Sequence, residues 1–339
     1  NLKKEYKRYL TSILSLKDDE LQKAASKAID IEEDNLVKGP YLESTPGYQA
    51  GKTISDLIED GILEDEFRDL IPYIGDYPLY KHQDKAVIEA VKNENNILVS
   101  TGTGSGKTES FLIPILNYLI KEKNQFNRGP GVRVLLLYPM NALANDQLKR
   151  LRHILKDYSS ITFGRYTGET KESEQDAIED FKMTNRGEPI LENELLSRET
   201  MKETPPDILV TNYAMLEYLL LRPADTVFFD GDMAKYWKYI VLDEAHIYTG
   251  SLGTEISYLL ARLKDRVVGN GQGKIKFIAT SATIINEDSN NEEVIKYMED
   301  LTGESYNENS LIEAEKITYR VNDKLKKLSN LNLYGQMLD

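Results

Sequence analysis

A glycine-rich segment at residues 101–108, reading TGTGSGKT, carries the residue types that bind phosphate. It follows the apolar run at 97–100 and precedes a helical apolar pattern, which predicts a strand, a loop and a helix in that order. Glycines let the loop turn its backbone N–H groups toward an anion, and the helix N-terminus adds a favourable dipole. Lys107 is then placed to reach the β- and γ-phosphates of a nucleotide, and the Thr108 hydroxyl to ligate Mg²⁺. The strict form of this pattern has glycine where this sequence has Thr101.

Two adjacent acids follow a second apolar run, at residues 239–242. In an α/β fold, a strand ending in acids places carboxylates at the carboxyl edge of the sheet, where ligands bind. Asp243 suits a Mg²⁺ partner, and Glu244 is suited to orient or deprotonate an attacking water. Taken alone, the pair is equally typical of a solvated strand end. His246 is either a structural hydrogen-bonding group or a link from this site to the Ser-Ala-Thr segment at 281–283.

The elements that must position these residues are short apolar strands alternating with longer helical stretches. Near-continuous apolar runs predict strands that are buried on both faces of a parallel sheet. The predicted strands are 97–100, 132–138, 161–165, 208–211, 239–242 and 275–280. The intervening stretches are long enough for crossover helices, for example at 108–121 and 142–156. The sequence therefore predicts an α/β fold with a mostly parallel central sheet flanked by helices.

Three regions are predicted along the chain. Residues 1–75 form a helical N-terminal accessory region, which includes a short helix at about 54–60, and residues 76–290 form the nucleotide-binding domain. Within that domain, the stretch 168–207 is too long for a simple connection and is predicted to be an insertion. Residues 291–339 are predicted to be helical and polar.

Composition limits the class of protein. The 339 residues contain no cysteine, which excludes disulfides and thiolate metal sites. No apolar run is long enough to span a membrane, and no secretory leader follows Asn1, so a cytoplasmic protein is predicted. The net charge of −14 disfavours non-specific coating of nucleic acid. However, residues 168–207 hold twelve acids and five bases, a net charge of −7, so the rest of the chain can still carry a local basic strip.

The order of these motifs resembles that of the superfamily 2 helicases. TGSGKT at 103–108 resembles motif I, DEAH at 243–246 resembles motif II, and SAT at 281–283 resembles motif III. Three further segments are similar in sequence to the Lhr-like bacterial DEAD/DEAH-box helicases. They are YPMNALANDQ at 138–147, YTGET at 166–170 and TNYAMLE at 211–217. The resemblance implies a RecA-like P-loop domain that acts with ATP and Mg²⁺ on DNA. Relatives in this group act in DNA repair and in defence against phage.

The resemblance also assigns roles to residues. YPLYKHQ at 77–83 resembles the adenine-reading Q region, in which Gln83 pairs with the adenine edge and Tyr80 packs on the ring. The implied catalytic residues are Lys107, Asp243, Glu244 and His246. The implied nucleotide-binding residues are Tyr80, Gln83, Thr103, Gly104, Ser105, Gly106, Lys107 and Thr108, with Thr108 and Asp243 also holding Mg²⁺. Ser281 and Thr283 are implied to couple the nucleotide site to movement.

The resemblance further implies a set of residues along the nucleic-acid strand, where short polar groups and backbone N–H groups at loop and helix starts suit phosphate contacts without base reading. They are Asn141, Tyr166, Thr167, Gly168, Thr211 and Asn212. Ordinary helix capping and turn chemistry would also explain them.

Superfamily 2 motors need a second RecA-like domain, which supplies arginine fingers. No arginine-rich helix follows residue 283, and a chain without cysteine cannot contain the zinc-binding module that Lhr-like proteins often carry. We therefore expect this chain to be the first motor domain of a longer protein, with the second domain as a partner. Alone, it should bind ATP but hydrolyse it slowly and not unwind.

Two alternatives remain. The first is a helicase lobe that acts on RNA, because phosphate contacts do not distinguish the sugar. The second is an ATP-gated interaction module that binds a protein partner through the acidic insertion at 168–207.

Overall fold

The computed structural model describes residues 2–13, 18–29, 47–102, 104–123, 129–268, 274–282 and 291–317. The chain divides into two compact units, Asn1–Pro46 and Gly47–Asp339. The first unit contains helices α1 (Leu2–Ile13) and α2 (Asp19–Ile29). Among the described residues, no helix is both long enough and apolar enough to cross a bilayer.

The second unit is built on a single eight-stranded sheet with the order β4-β3-β5-β2-β6-β7-β1-β8, and every registered strand pair is parallel. The strands are β1 (Ile97–Ser100), β2 (Val134–Tyr138), β3 (Phe163–Arg165), β4 (Glu194–Leu195), β5 (Ile208–Asn212), β6 (Tyr239–Leu242), β7 (Lys276–Ser281) and β8 (Leu311–Glu313). The central strands are apolar and buried along their whole length, which requires helices on both faces.

Helices cover both faces of the sheet. They are α3 (Ile54–Glu59), α4 (Ile71–Ile74), α5 (Lys81–Val87), α6 (Lys107–Lys123), α7 (Asn141–Leu155), α8 (Glu174–Thr184), α9 (Arg198–Glu203), α10 (Tyr213–Leu221), α11 (Gly250–Val268) and α12 (Asn291–Thr302). Because successive strand side chains point to opposite faces, Leu136 joins the core beneath α5, α6 and α7, whereas Leu135 joins the core beneath α10 and α11.

The predicted α/β class and all six predicted strands are confirmed, with ends shifted by up to two residues. The predicted crossover helices at 108–121 and 142–156 correspond to α6 and α7. Two strands were missed. β4 lies inside the predicted insertion, and β8 lies in the segment predicted to be helical, where it pairs with β1. Strands of two and three residues at sheet edges leave no apolar run to detect.

The N-terminal boundary of the nucleotide-binding unit also differs from the prediction. The division falls at Pro46–Gly47 rather than after residue 75. Tyr48 forms an antiparallel bridge with Lys316, and Ala50 forms one with Tyr80. These bridges tie residues 47–50 to the start of α5 and to the segment after β8.

The acidic insertion is bound into the edge of the sheet. Its strand β4 pairs with β3, and the carboxylate of Glu194 accepts a hydrogen bond from Arg152 of α7, with both side chains buried. The Arg152 guanidinium also donates to the Pro189 carbonyl at 2.7 Å and lies 4.6 Å from the centre of the Phe181 ring. The insertion therefore completes the sheet, in addition to any docking role.

We expect Arg152→Met to lower the free energy of unfolding by about 3–5 kcal/mol, because it leaves the buried Glu194 carboxylate without its partner. Urea unfolding measures this change. Lys235→Met is the control, since its ion pair with Asp232 is exposed and should contribute less than about 1 kcal/mol. Equal effects of the two variants would contradict a structural role for the buried pair.

Candidate functional site

The glycine-rich loop connects β1 to α6, whose first residue is Lys107. Gly104 and Gly106 have φ angles of +75° and +73°, a region that side chains rarely adopt. A Cβ on Gly106 would also lie 2.4 Å from the Gln83 amide nitrogen, so only glycine fits there. Thr103 lies outside the described residues.

The Ser105 side chain is fully buried, and its hydroxyl lies 2.5 Å from the Thr101 hydroxyl. This contact spans the base of the loop. The threonine that replaces the usual first glycine of the pattern therefore gives the loop an internal hydrogen bond. The Ser105 side chain braces the loop, and the assignment of this residue to nucleotide binding stays a prediction.

Lys107 and Glu244 form the centre of the site. The Lys107 ammonium nitrogen lies 3.6 Å from Glu244 Oε1, and both side chains are mostly buried. Among the described residues, neither Lys107 Nζ nor Glu244 Oε2 makes a hydrogen bond, although His246 Nδ1 lies 3.3 Å from Oε2. Buried polar atoms normally find partners, so this pair is suited to an anion and to a water that would supply them.

Glu244 has a left-handed backbone, with a φ of +52°. Non-glycine residues in this region cost of order 1–3 kcal/mol and cluster at functional sites. The turn begins where β6 ends and directs the Glu244 carboxylate toward Lys107. His246 Nδ1 lies 3.3 Å from the same carboxylate, on Oε2, and 3.4 Å from the Ser281 hydroxyl.

Asp243 is held by groups that the sequence analysis missed. Its Oδ1 accepts hydrogen bonds from the Thr280 hydroxyl and from the Glu244 backbone N–H. Burial raises the pKa of Asp243, and the Glu244 charge adds to this effect, while Thr280 and Lys107 oppose it. Thr280 therefore helps keep the carboxylate ionised.

The sequence offered a link from His246 to the Ser-Ala-Thr segment, with Ser281 and Thr283 in a coupling role. The Ser281 contact with His246 agrees with this, and Thr283 lies outside the described residues. The hydroxyl that reaches Asp243 belongs to Thr280, one residue earlier. Thr280 lies within a buried strand and outside the SAT motif, so the sequence alone does not indicate its role. The register of β7 against β6 places its hydroxyl beside Asp243.

The Q region packs against the loop. Gln83 is 4% exposed; its amide oxygen accepts from the Tyr80 N–H at 2.7 Å, and its amide nitrogen donates to the Gly106 carbonyl at 2.7 Å. The Tyr80 ring is partly exposed and lies 5.2 Å from the Tyr48 ring. The structure therefore places Gln83 in contact with the phosphate loop, and the oxygen retains one lone pair for an adenine amine.

The donor set fits a nucleotide with Mg²⁺. Mg²⁺ favours a few oxygen ligands from the protein together with phosphate oxygens and water. Thr108 and Asp243 offer a hydroxyl and a carboxylate, while Lys107 offers an ammonium group that lies 3.6 Å from Glu244. Among the residues described, no three acidic or histidine side chains group into a cation site of their own.

Three of the residues predicted to contact a nucleic-acid strand have buried side chains. The side chains of Tyr166, Thr167 and Thr211 are fully buried. The Tyr166 hydroxyl donates to Asp225 at 2.7 Å, and the Thr211 hydroxyl donates to the Tyr166 carbonyl at 2.6 Å. These side chains face the interior, so a nucleic-acid contact at these positions, which stays a prediction, would be made by the backbone. Polar residue type alone did not distinguish the two roles.

The other three predicted contacts lie together at the carboxyl edge of the sheet. Asn212 donates to the Asn141 side-chain oxygen at 2.6 Å and caps α10 by accepting from the Met215 N–H. Asn141 donates in turn to Glu169 at 3.1 Å. Gly168 is exposed, and its Cα position faces open space.

Comparison with known proteins gives consistent matches. The sequence profile described as DEAD/DEAH box helicase matches residues 80–291. The chain is 29% identical to the Druantia protein DruE of Escherichia coli (strain UMEA 4076-1), over 89% of this chain and 21% of that protein. It is 26% identical to the ATP-dependent helicase Lhr-Core of Methanocaldococcus jannaschii, over 55% of this chain and 20% of that protein.

The fold matches that of a crystal structure of the DUF1998 helicase MrfA bound to DNA. The TM-score is 0.57 and the identity is 25%, over 80% of this chain and 29% of the other. The chain thus spans between a fifth and a third of the length of these relatives.

We expect Asp243→Asn to raise the free energy of unfolding at neutral pH. Because the folded state raises the pKa of Asp243, it disfavours the charged form, and the variant removes that cost. The gain should shrink as the pH falls through the raised pKa and vanish below the ordinary value of about 4. Urea unfolding from pH 7.5 down to about 3.5, below the ordinary pKa of an aspartate, tests this. Asp232→Asn, at a fully exposed carboxylate, is the control and should show no such trend.

Proposed function

The chain belongs to the DEAD/DEAH box helicase family, and we propose that it is the ATP-binding motor domain of a superfamily 2 DNA helicase or translocase of the Lhr-like group. The observation that carries this proposal is the buried cluster at the carboxyl edge of the sheet. There, Lys107 and Glu244 face each other at 3.6 Å, and each keeps an atom that makes no hydrogen bond with the described residues.

Each residue of the cluster has a role that follows from its position. Lys107 binds the phosphate chain of ATP, and the loop N–H groups orient it. Thr108 and Asp243 would hold Mg²⁺. Glu244 orients or deprotonates the attacking water, and His246 Nδ1 lies 3.3 Å from its Oε2. Bound MgATP supplies the anhydride bond to be broken and the cation that offsets its charge.

β7 is suited to transmit the state of this site. Thr280 contacts Asp243, and Ser281 contacts His246. One strand therefore contacts both the first and the last residue of the DEAH motif. We infer that Thr280 shares the coupling role assigned from the sequence to Ser281 and Thr283. His246 then acts as a link between the nucleotide site and β7.

DNA is the proposed strand. MrfA in the matched structure is described as bound to DNA. The proposed contacts on this chain are Asn141, Gly168 and Asn212, which make phosphate rather than base contacts. An RNA strand is the alternative, and comparison of matched DNA and RNA at fixed salt separates the two. DNA repair, phage defence, a second RecA-like domain as partner and a cytoplasmic location stay predictions.

The interaction-module alternative rests on the acidic insertion. Part of its charge is already satisfied internally, since Glu172 lies 2.6 Å from Lys202 and 3.6 Å from Arg198. This pairing favours the motor proposal, although exposed acids on α8 could still contact a protein partner. Because β4 lies in the insertion, deletion of the insertion would expose the edge of β3. Point variants of the acids on α8 are therefore the better test of a docking role.

We expect Lys107→Ala to weaken binding of a fluorescent ATP analogue, measured with Mg²⁺, by about 10- to 100-fold, because a charged hydrogen bond to phosphate is lost. Lys121→Ala, an exposed lysine on the same helix, is the control and should bind like the wild type. Equal binding by Lys107→Ala and the wild type would exclude this loop as the nucleotide site.

We expect Asn141→Ala to weaken single-stranded DNA binding several-fold at fixed salt, without changing ATP-analogue affinity. Tyr166→Phe should leave DNA affinity unchanged, yet lower the free energy of unfolding by about 1–3 kcal/mol, because buried Asp225 loses a donor. Fluorescence anisotropy and urea unfolding measure the two effects. Loss of DNA binding in Tyr166→Phe alone would restore Tyr166 as a strand contact.

A further inference from the structure

Two consecutive residues at the start of α5 hold two consecutive carbonyls of the phosphate loop. His82 Nε2 lies 3.0 Å from the Ser105 carbonyl oxygen, and Gln83 Nε2 lies 2.7 Å from the Gly106 carbonyl oxygen. Both side chains are buried. Neither bond involves the apolar core, so their effect is on the loop itself.

The direction of these bonds fixes the opposite side of the loop. In a trans peptide the C=O and the N–H of the next residue point in opposite directions. With the Ser105 and Gly106 carbonyls turned toward α5, the N–H groups of Gly106 and Lys107 are turned away from it. Consecutive N–H groups on one side form an anion-binding concavity. His82 and Gln83 therefore set up the donors that a phosphate needs.

The chemistry of His82 points to positioning rather than to stability. A carbonyl only accepts, so Nε2 must carry the proton, and Nδ1 is then a buried acceptor with no hydrogen-bond partner among the residues that the structure describes. Burial lowers the pKa of His82, which keeps the ring neutral. An unpaired buried acceptor costs folding free energy, so an apolar residue would serve the fold better here.

Aromatic contacts hold the imidazole in place. The Tyr80 ring is stacked against it with centroids 5.6 Å apart, and the Tyr48 ring meets it edge-on at 5.4 Å. Because two neighbours restrict the ring, Nε2 stays aimed at Ser105. Tyr48 also lies beside the loop at Gly102.

We propose that His82 is a positioning residue for phosphate binding, which acts through the Ser105 carbonyl to orient the loop N–H groups toward the β-phosphate of a nucleoside diphosphate or triphosphate. This inference rests on the proposed function of the same site. It adds to the Q region a role in phosphate recognition, beside the adenine contact expected of Gln83.

The test compares ADP with adenosine, since only ADP uses the phosphate loop. His82→Phe keeps an aromatic ring without the donor, and His82→Gln keeps an N–H donor. Competition against a fluorescent ATP analogue gives both affinities. We expect His82→Phe to weaken ADP about three- to tenfold and leave adenosine unchanged, with His82→Gln recovering most of the loss. Thermal unfolding checks that each variant is folded. If His82→Phe does not fold, His82→Leu takes its place as the variant without an N–H donor.

Other results would overturn the inference. Equal weakening of ADP and adenosine would mean a general structural role, and unchanged ADP affinity would mean that the hydrogen bond does not matter. Failure of His82→Gln to recover affinity would exclude donation as the cause. In contrast, a wild-type protein that binds no nucleotide would overturn the proposed function itself, which separates the two failures.

Discussion

The position of β7 between β1 and β6 is the constraint on which the site depends. All three strands are parallel, so their carboxyl ends meet at one edge of the sheet. The phosphate loop leaves β1 there, the carboxylates leave β6, and the hydroxyls of Thr280 and Ser281 lie between them. Residues almost 140 positions apart in sequence therefore come within 3.6 Å, as Lys107 and Glu244 do.

The same edge concentrates unfavourable local features among the described residues. Lys107, Glu244 and His82 each bury a polar atom without a hydrogen-bond partner, and Glu244 also has a left-handed backbone. The continuous apolar strands beneath them supply stability that offsets these costs. A bound phosphate chain and an ordered water would satisfy Lys107 and Glu244, so the site is better suited to the ligated state than to the empty one.

Sequence reasoning succeeded where the physical signal is local. Apolar runs revealed six of the eight described strands, and glycine spacing revealed the phosphate loop. It failed where the outcome depends on neighbours. β4 and β8 are strands because β3 and β1 offer free edges, Thr280 matters because of its register beside Asp243, and buried Tyr166 looked in sequence like an exposed contact. Edge pairing, cross-strand contact and burial are tertiary properties that one sequence does not encode locally.

The pairing of β8 with β1 has a consequence for any shortened form of the protein. The family profile ends at residue 291, twenty residues before Leu311. A protein cut at that point would leave the outer edge of β1 with unpaired backbone groups, directly beneath the phosphate loop. Exposed edges of this kind recruit strands from other molecules and promote aggregation. The short strand β8 thus covers the edge of β1 against pairing with other molecules, although β8 contributes no residue to the candidate nucleotide site.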